Sequence, residues 1–196
     1  MADVASDKRM TVEEFFRWHE RQEGKYELVD GRPVLKRGVG PKGMVGGTVR
    51  HARIGMNVGY ALRSRLRSSG CQPLGPDIGV RTSDTQLRYP DVVVDCGTAD
   101  QTNMDLDDPR VIVEVLSPST SFIDQTYKLE EYKSVASIHH ILLVEQRRPR
   151  VQLFTRTDEG SGFENFEGLE ASIPLTALGI ELLLIDVYEG IRFDDD

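Results

Sequence analysis

The sequence predicts a single α/β domain with a central sheet that is covered on both faces. The chain has 196 residues, a length that is typical of one domain. Its composition, 39% hydrophobic and 29% charged residues, is that of an ordinary folded protein. Two apolar runs, 88–95 and 111–116, have the length of strands and are interrupted by single acids. Such continuous runs are typical of strands buried on both sides, so we expect helices on either side of the sheet.

The N-terminal part, 11–36, is predicted to form a helix followed by a β-hairpin. Thr11 and Glu14 have the spacing of a capping box and precede aromatic residues at helical spacing, which predicts a short helix. Asp30 and Gly31 then separate two short apolar segments. Because this dipeptide readily adopts the positive φ angles of a two-residue turn, the flanking segments are predicted to pair as antiparallel strands.

A second helix is predicted over 48–67, because its apolar residues fall within one sector at about 100° per residue. His51 projects into the middle of that sector. The opposite side carries basic residues that can meet solvent or a phosphate: Arg53, Arg63 and Arg67. The glycine-rich stretch before the helix, 38–47, lacks the Gly-Lys-Ser/Thr ending of a phosphate-binding P-loop, so we interpret it as a flexible loop.

The rest of the chain is predicted to contain further strands and one more long helix. Ser121 and Asp124 are placed as a capping pair for that helix. No internal repeat or linker is evident, so we expect one domain over 1–196. Within it we predict strands at 77–81, 138–145 and 150–155, a helix at 122–136, a core over 47–156 and a closing segment over 163–193.

Charge and hydropathy limit the partners and the location of the protein. The formal net charge of −8 opposes long-range attraction to a polyanion, so any contact with phosphate must be local. No apolar run approaches the ~20 residues needed to cross a bilayer, and the N-terminus lacks the apolar segment of a signal peptide. We therefore expect a cytoplasmic protein without a membrane partner.

Two cysteines, Cys71 and Cys96, lie far apart in the sequence. Neither belongs to a CxxC motif or has a nearby Cys or His partner, so the pattern supports neither a zinc cluster nor a disulfide framework. We interpret both as buried free thiols.

Asp91 and Glu114 are acids within otherwise apolar strands. A buried charge costs several kcal/mol unless it is paired or binds a metal ion. If the two strands are antiparallel neighbours, the two carboxylates could converge, and a divalent cation such as Mg²⁺ would relieve their repulsion. Two alternatives stay open at this point: Asp91 could merely open its strand after Pro90, and Glu114 could pair with a buried arginine such as Arg88.

Lys128 is the candidate cation for this pair of acids. Asp124, Lys128 and Tyr132 are spaced four residues apart and share one helix face, from which an ammonium group could reach back towards a metal. A nearby lysine can stabilise the charge that develops during phosphodiester hydrolysis. The alternatives are that Asp124 only caps the helix and that Lys128 is a solvated surface residue.

Three segments together resemble the Uma-two family of restriction endonucleases within the PD-(D/E)XK nuclease superfamily. They are Tyr89-Pro-Asp-Val-Val-Val-Asp95, Val113-Glu-Val-Leu-Ser-Pro-Ser119 and Asp124-x-x-x-Lys128-x-x-x-Tyr132. The hairpin Tyr26-Glu-Leu-Val-Asp-Gly31 and His51 also match, so the resemblance covers nearly the whole chain. One departure is Ile138-His-His-Ile141, where the family usually has a Glu-Tyr-Trp run. We interpret His139 and His140 as edge or packing residues, because adjacent strand residues point to opposite faces.

The resemblance implies a restriction endonuclease-like core in which a mixed sheet is flanked by helices. It implies that Asp91 and Glu114 are metal ligands and that Lys128 is a migrated catalytic lysine. The superfamily's usual lysine, two residues after the strand glutamate, is replaced here by Leu116. Glu27 and His51 match the remaining positions, as an accessory acid and as a residue beside the metal or the phosphate, although Glu27 could equally be a surface strand residue.

These observations favour a Mg²⁺- or Mn²⁺-dependent endonuclease that acts on DNA, with Arg53, Arg63 and Arg67 as the nucleic-acid-binding residues. A second hypothesis is a nuclease-fold binding or assembly module that has lost catalysis or needs a partner, because the chain is acidic and the usual lysine is absent. A third is a hydrolase of small phosphodiesters. We expect a homodimer, because a two-fold symmetric duplex favours a paired enzyme.

Overall fold

The computed structural model describes residues 9–36, 47–98, 100–117, 122–158 and 160–193, with the side chains of 122–124 left out of the description. In chain order the elements are α1 (Val12–His19), β1 (Tyr26–Val29), β2 (Arg32–Leu35), α2 (Val49–Arg65), β3 (Gln72–Leu74), β4 (Val80–Ser83), β5 (Gln86–Arg88), β6 (Val92–Asp95), β7 (Pro109–Val115), α3 (Phe122–Ser134), β8 (His140–Val144), β9 (Arg150–Thr157), β10 (Gly160–Glu167), β11 (Ser172–Leu175), β12 (Ile180–Leu183) and α4 (Leu184–Val187). Of the predicted loop at 38–47, residues 38–46 lie outside the described residues, and so do Ser121 and the side chain of Asp124, the predicted capping pair.

A six-stranded sheet in the order β10-β9-β8-β7-β6-β3 forms the centre of the fold. Strands β7 and β8 are parallel and are joined through α3, whereas the other neighbours are antiparallel. Helix α2 and the C-terminal segment cover one face, where Ile54 and Leu62 pack with Val113. Helix α3 covers the other, where Tyr132 packs with Ile112. The predicted mixed sheet between helices is therefore confirmed.

A smaller sheet, in the order β2-β1-β5-β4, packs against α1. The predicted capping box is present: Glu14 N donates to Thr11 Oγ1 at 3.3 Å, and Thr11 N donates to Glu14 Oε2 at 3.1 Å. The predicted hairpin is also present, with φ angles of 48° at Asp30 and 72° at Gly31. Both angles suit the two-residue turn that the dipeptide predicted.

The run 88–95, predicted as one strand, is divided between the two sheets. Strand β5 ends at Arg88 in the smaller sheet, and β6 begins at Val92 in the central one. Pro90 lies between them and has no backbone N–H to donate to a ladder, which accounts for the break. The division places Arg88 and Asp91 at the junction of the two sheets, where both contribute to the candidate site.

The closing segment packs beside α2 on the same face of the central sheet. Strands β11 and β12 pair as a hairpin, and the apolar residues of this hairpin and of α4 join the core beneath α2. Asn57 of α2 donates to the carbonyls of Val187 at 3.1 Å and Glu189 at 2.9 Å. Among the described residues, no helix is long and apolar enough to cross a membrane.

The prediction of free thiols at Cys71 and Cys96 was wrong, because the two residues form a disulfide. They are 25 residues apart in sequence, but Gln72 of β3 pairs with Asp95 of β6, which brings the adjacent cysteines together. Strand β3 is only three residues long and was not predicted, so its pairing was not evident from the sequence.

Reduction of this disulfide is expected to lower the free energy of unfolding by about 2–4 kcal/mol, because the bond closes a loop of intermediate length in the unfolded chain. Urea unfolding with and without dithiothreitol measures the effect. A variant with both Cys71→Ser and Cys96→Ser should show no response to the reductant. Labelling of two free thiols in protein that was denatured without reductant would contradict the assignment.

His140 is buried, at 1% exposure, which confirms that it is a packing residue. Its Nε2 accepts a hydrogen bond from Ala177 N at 3.1 Å, and its Nδ1 lies 3.2 Å from Thr155 Oγ1. Burial, together with the neighbouring His139, lowers its pKa from 6.5 to about 4. The acceptor role of Nε2 is consistent with a neutral ring that carries its proton on Nδ1.

The depressed pKa of His140 predicts acid lability. Above pH 6.5 the imidazole is neutral in both the folded and the unfolded states. As the pH falls from 6.5 towards 4, the unfolded chain binds a proton that the folded protein does not, so stability decreases, by about 3 kcal/mol over the whole window. His140→Gln keeps an acceptor for Ala177 N but does not titrate. As the pH is lowered from neutral towards the middle of the range between 6.5 and 4, the variant should therefore gain stability relative to the parent, as measured by urea unfolding. A difference in stability that does not change with pH would refute this assignment.

Candidate functional site

Asp91 and Glu114 meet at one end of the central sheet. Val92 of β6 pairs with Val113 of β7 in an antiparallel register, so the next positions, Asp91 and Glu114, stand opposite each other. Glu114 is on the face that α3 covers, where Tyr132 contacts it, whereas Asp91 precedes β6 and lies at the end of the sheet within reach of His51 of α2. The carboxylate of Asp91 also accepts a hydrogen bond from Val115 N at 2.7 Å. Asp91 therefore does more than open a strand, because its side chain bonds to the neighbouring strand β7.

Asp91 is kept ionised by the groups around it. Burial alone would raise its pKa, but the hydrogen bond with His51, the charge of His51 and the Val115 N–H outweigh burial and lower the pKa. His51 Nε2 lies 3.4 Å from Asp91 Oδ2. The hydrogen bond with Asp91 in turn raises the pKa of His51. The histidine thus supports the negative charge of the aspartate.

His51 is held in place by the start of α2. Thr48 caps the helix, and its Oγ1 accepts from His51 N at 3.1 Å. Thr48 also donates to Gln146 Oε1 at 3.2 Å, while Gln146 Nε2 donates to Leu116 O at 2.8 Å. Because Leu116 directly follows β7, these bonds fasten the first turn of α2 to the end of the sheet where the acids lie.

Glu114 has a different electrostatic environment from that of Asp91. Burial, with the nearby charge of Asp91, raises its pKa, although the ammonium of Lys128 acts in the opposite direction. Tyr132 of α3 donates its hydroxyl hydrogen to Glu114 Oε1 at 2.7 Å. Tyr132 is 1% exposed, so it fixes one oxygen of the glutamate from within the core. Sequence reasoning assigned Tyr132 no role of its own, although its four-residue spacing from Lys128 was a signal.

Lys128 reaches the same end of the sheet from α3. Its side chain is 14% exposed, and its Nζ lies 3.3 Å from Glu27 Oε1. The charge of the same ammonium acts to lower the pKa of Glu114. Lys128 is therefore not a solvated surface lysine, and the structure brings it together with Asp91 and Glu114.

Glu27 is the centre of a buried ion cluster. Its side chain is 7% exposed, so the alternative of a surface strand residue was wrong. Arg88 Nη1 donates to it at 2.9 Å, and the ammonium groups of Lys128 and Lys36 lie at 3.3 and 3.8 Å. Burial raises the pKa of Glu27, but the charges of Lys128, Lys36 and Arg88 outweigh burial and lower the pKa.

Arg88 joins Glu27 to α3. Its guanidinium forms a bidentate salt bridge with Glu131, in which Nε and Nη2 lie 2.6 and 2.7 Å from the two carboxylate oxygens. The suggested pairing of Arg88 with Glu114 is thus replaced by pairs with Glu27 and Glu131. Glu131 lies three residues after Lys128 and so shares its helix face, a spacing from which a place near the site could have been predicted. Lys36 follows the hairpin and gave no signal in the sequence.

The three arginines predicted as one basic stripe are separated in the structure. Arg63 lines the cleft above the acids. Arg53 instead donates to Gly190 O at 2.8 Å, on the side of the closing segment. Arg67 lies beyond the end of α2 and is exposed. Only Arg63 is therefore close to the cleft.

The acids and Lys128 lie in a cleft of about 2130 Å³. Its walls are the hairpin of β1 and β2, the face of α2 that carries His51 and Arg63, and most of the length of α3. Small-molecule sites usually have volumes of about 300–1,000 Å³. The cleft is therefore large enough for a polymer.

Among the described residues, no three His, Cys, Asp or Glu side chains are grouped closely enough to form a metal cage by themselves. Mg²⁺ does not need such a cage, because it usually retains several waters and is bound through one or two carboxylates. Two facing carboxylates, one of which has a raised pKa, are hard oxygen donors of this kind. The donor set suits Mg²⁺ or Mn²⁺ better than Zn²⁺.

The architecture of the sheets and helices defines a restriction endonuclease-like α/β protein. A crystal structure from Anabaena variabilis ATCC 29413, described as that of a putative nuclease belonging to DUF820, has the same fold. The TM-score is 0.69 at 17% sequence identity, over 93% of this chain and 99% of that chain. A model of the Uma2 family, described as putative restriction endonuclease, matches residues 12–186. The chain belongs to the Uma2 family.

Two cyanobacterial relatives match over most of their length. The uncharacterized protein slr1290 of Synechocystis sp. (strain ATCC 27184 / PCC 6803 / Kazusa) is 27% identical over 188 residues, which cover 94% of each chain. The uncharacterized protein sll1609 of the same strain is 23% identical over 163 residues, which cover 81% of this chain and 88% of the relative. The similarity thus extends through both sheets and the candidate site.

Replacement of Glu27 by Gln is expected to lower the free energy of unfolding by about 3–5 kcal/mol, because it leaves buried cations without their shared carboxylate. Asp77→Asn is the control, since Asp77 and its partner Lys25 are 81% and 48% exposed. That change should cost less than about 1 kcal/mol. Urea unfolding of both variants measures the difference, and equal small losses would show that the cluster contributes little.

Proposed function

We propose that this protein is a metal-dependent endonuclease that hydrolyses phosphodiester bonds of DNA. The observation that carries the proposal is the convergence of Asp91, Glu114 and Lys128 at one end of the sheet, on the floor of a polymer-sized cleft. Membership of a family described as putative restriction endonucleases supports it. The structural neighbour from Anabaena variabilis is likewise described as a putative nuclease.

Asp91 and Glu114 are the proposed ligands of a Mg²⁺ or Mn²⁺ ion. When bound, such an ion neutralises charge on the phosphate and lowers the pKa of a water molecule. Asp91 is suited to this role because Val115 N–H and His51 keep it ionised. Tyr132 orients Glu114 by a hydrogen bond to one of its oxygens. In this proposal His51 acts through Asp91 and is a positioning residue.

Lys128 is proposed to stabilise the negative charge that develops on the phosphoryl oxygens. A fixed cation is effective in this role because it requires no reorganisation during the reaction. Leu116 packs with the core on the α3 side and supplies no cation, so the ammonium has to come from the helix. Glu27 holds that ammonium at 3.3 Å. We therefore propose Glu27 as a positioning residue for Lys128, and Arg63 as the cleft's contact for a phosphate.

A second candidate is a binding module that lacks catalysis or needs a partner, favoured by Leu116 at the position of the superfamily's usual lysine and by the ion pair that engages Lys128. It predicts binding of nucleic acid without cleavage. The hydrolysis of small phosphodiesters stays a third candidate, which turnover of a chromogenic phosphodiester without cleavage of DNA would favour. The roles of Arg53 and Arg67 in nucleic-acid binding, and the homodimer, stay predictions.

Asp91→Asn and Lys128→Met are each expected to reduce nicking of DNA, supplied both as supercoiled plasmid and as single-stranded circles, by at least about 10²-fold, because each removes a charge that acts in the transition state. The parent should cleave with Mg²⁺ or Mn²⁺ and not with EDTA. Lys133→Met is a matched control on the same helix. Lys133 is not among the residues that line the cleft, and its Nζ lies 2.9 Å from Glu130 Oε1.

Thermal unfolding of each variant shows whether the loss of nicking is a loss of folding. Folded Asp91→Asn protein that nicks as fast as the parent would refute the proposal. Absence of any metal-dependent nicking by the parent, together with binding of nucleic acid, would favour the second candidate.

A further inference from the structure

The cleft contains an unusual concentration of exposed apolar side chains. Ten large hydrophobic residues are notably exposed in the part of the chain that the structure describes, and five of them line this cleft. They are Val34, Leu35, Met56, Tyr60 and Tyr127. Tyr60 and Tyr127 are 73% and 66% exposed. Clustered exposure of this kind marks a surface that binds something, rather than the scattered apolar residues found on any protein.

The two tyrosines stand on opposite walls of the candidate site. Tyr60 lies on α2, nine residues after His51, which is about 14 Å along the helix axis. Tyr127 lies on α3, next to Lys128. Both line the same cleft as Asp91 and Glu114. A strand that follows the cleft past the acids could therefore meet one ring on the wall formed by α2 and another on the wall formed by α3.

The cations of the cleft are mostly matched by acids of the protein. Lys36, Arg88 and Lys128 surround Glu27, and Arg88 also pairs with Glu131. Arg63 remains as the cleft cation for which the described residues show no ion pair. Double-stranded DNA is bound largely through its phosphates, which require many available cations. The net charge of −8 further weakens such binding.

We propose that this cleft binds single-stranded nucleic acid, with unpaired bases stacked on Tyr60 and Tyr127. The inference rests on the proposed nuclease function and names the substrate class of the same site. Stacking on aromatic side chains is tolerant of sequence and adds affinity without many phosphate contacts. In a duplex the faces of the bases are covered by their neighbours, so the rings could not reach them. Unpaired bases therefore fit a cleft whose described residues are rich in exposed rings and offer few cations without an acidic partner.

Fluorescence anisotropy in EDTA tests binding independently of cleavage. The probes are a labelled oligothymidylate, an RNA of matched length and a duplex of the same length. We expect the single strands to bind more tightly than the duplex, with a shallow dependence on salt. Tighter binding of either single strand than of the duplex supports the proposal, and a difference between the DNA and RNA strands shows which backbone the cleft prefers. A duplex that binds as tightly as the single strands would overturn the proposal.

Tyr60→Ala and Tyr127→Ala are each expected to weaken single-strand binding on the order of tenfold. Tyr60→Phe keeps the ring and should bind like the parent. Ile185→Ala is the control, because Ile185 is 57% exposed and lies outside the cleft. Unchanged affinity of both alanine variants would overturn the proposal. So would a dimer of the parent that Tyr60→Ala dissociates, since the ring would then serve contact between copies.

The outcomes separate this inference from the proposed function. If single strands bind through the tyrosines but the parent shows no metal-dependent cleavage, the substrate class stands and the endonuclease fails. If the parent cleaves duplex and Tyr60→Ala and Tyr127→Ala cleave it equally well, the endonuclease stands and this inference fails.

Discussion

The candidate site depends on a buried ion cluster of Glu27, Arg88 and Glu131, which joins the smaller sheet to α3. Glu27 comes from β1, Arg88 from β5, and Glu131 completes the cluster from α3. Removing several charges from water is costly unless each finds close partners. The cluster therefore stabilises one arrangement of hairpin and helix, and in that arrangement Lys128 lies beside Glu27. The position of the ammonium relative to the acids follows from this constraint.

The break at Pro90 gives the cluster and the acids a common location. Because the chain leaves one sheet at Arg88 and enters the other at Val92, consecutive residues serve two different sets of contacts. Arg88 faces the ion cluster, whereas Asp91 faces Glu114 and His51. A continuous strand would have kept both residues in one ladder. The interruption thus allows the two acids, Asp91 and Glu114, to lie beside the ion cluster around Glu27.

Local sequence patterns predicted much of this fold, whereas non-local contacts were missed. The capping box of α1 and the turn at Asp30 and Gly31 depend on residues close in sequence, and both are present. The acids stood out because they interrupt apolar strands. The pairing of β3 with β6 joins segments that no periodicity relates, so the disulfide was missed. Glu131 and Lys36 were missed as members of the site for the same reason, since their partners come from other elements.

The acidity of the chain and the chemistry proposed for it are compatible because the relevant electrostatics are local. A net charge of −8 is spread over the surface, where solvent and salt screen it within about 10 Å. At the end of the sheet, burial removes much of that screening, so single groups decide the charge state of each carboxyl. His51 lowers the pKa of Asp91, while burial raises the pKa of the facing Glu114. Two neighbouring carboxyls, one with a lowered and one with a raised pKa, are better suited to sharing a cation than to attracting a polyanion from a distance. Affinity for the proposed nucleic acid then has to come from local contacts, and the exposed rings of the cleft are groups that can add to those of Arg63.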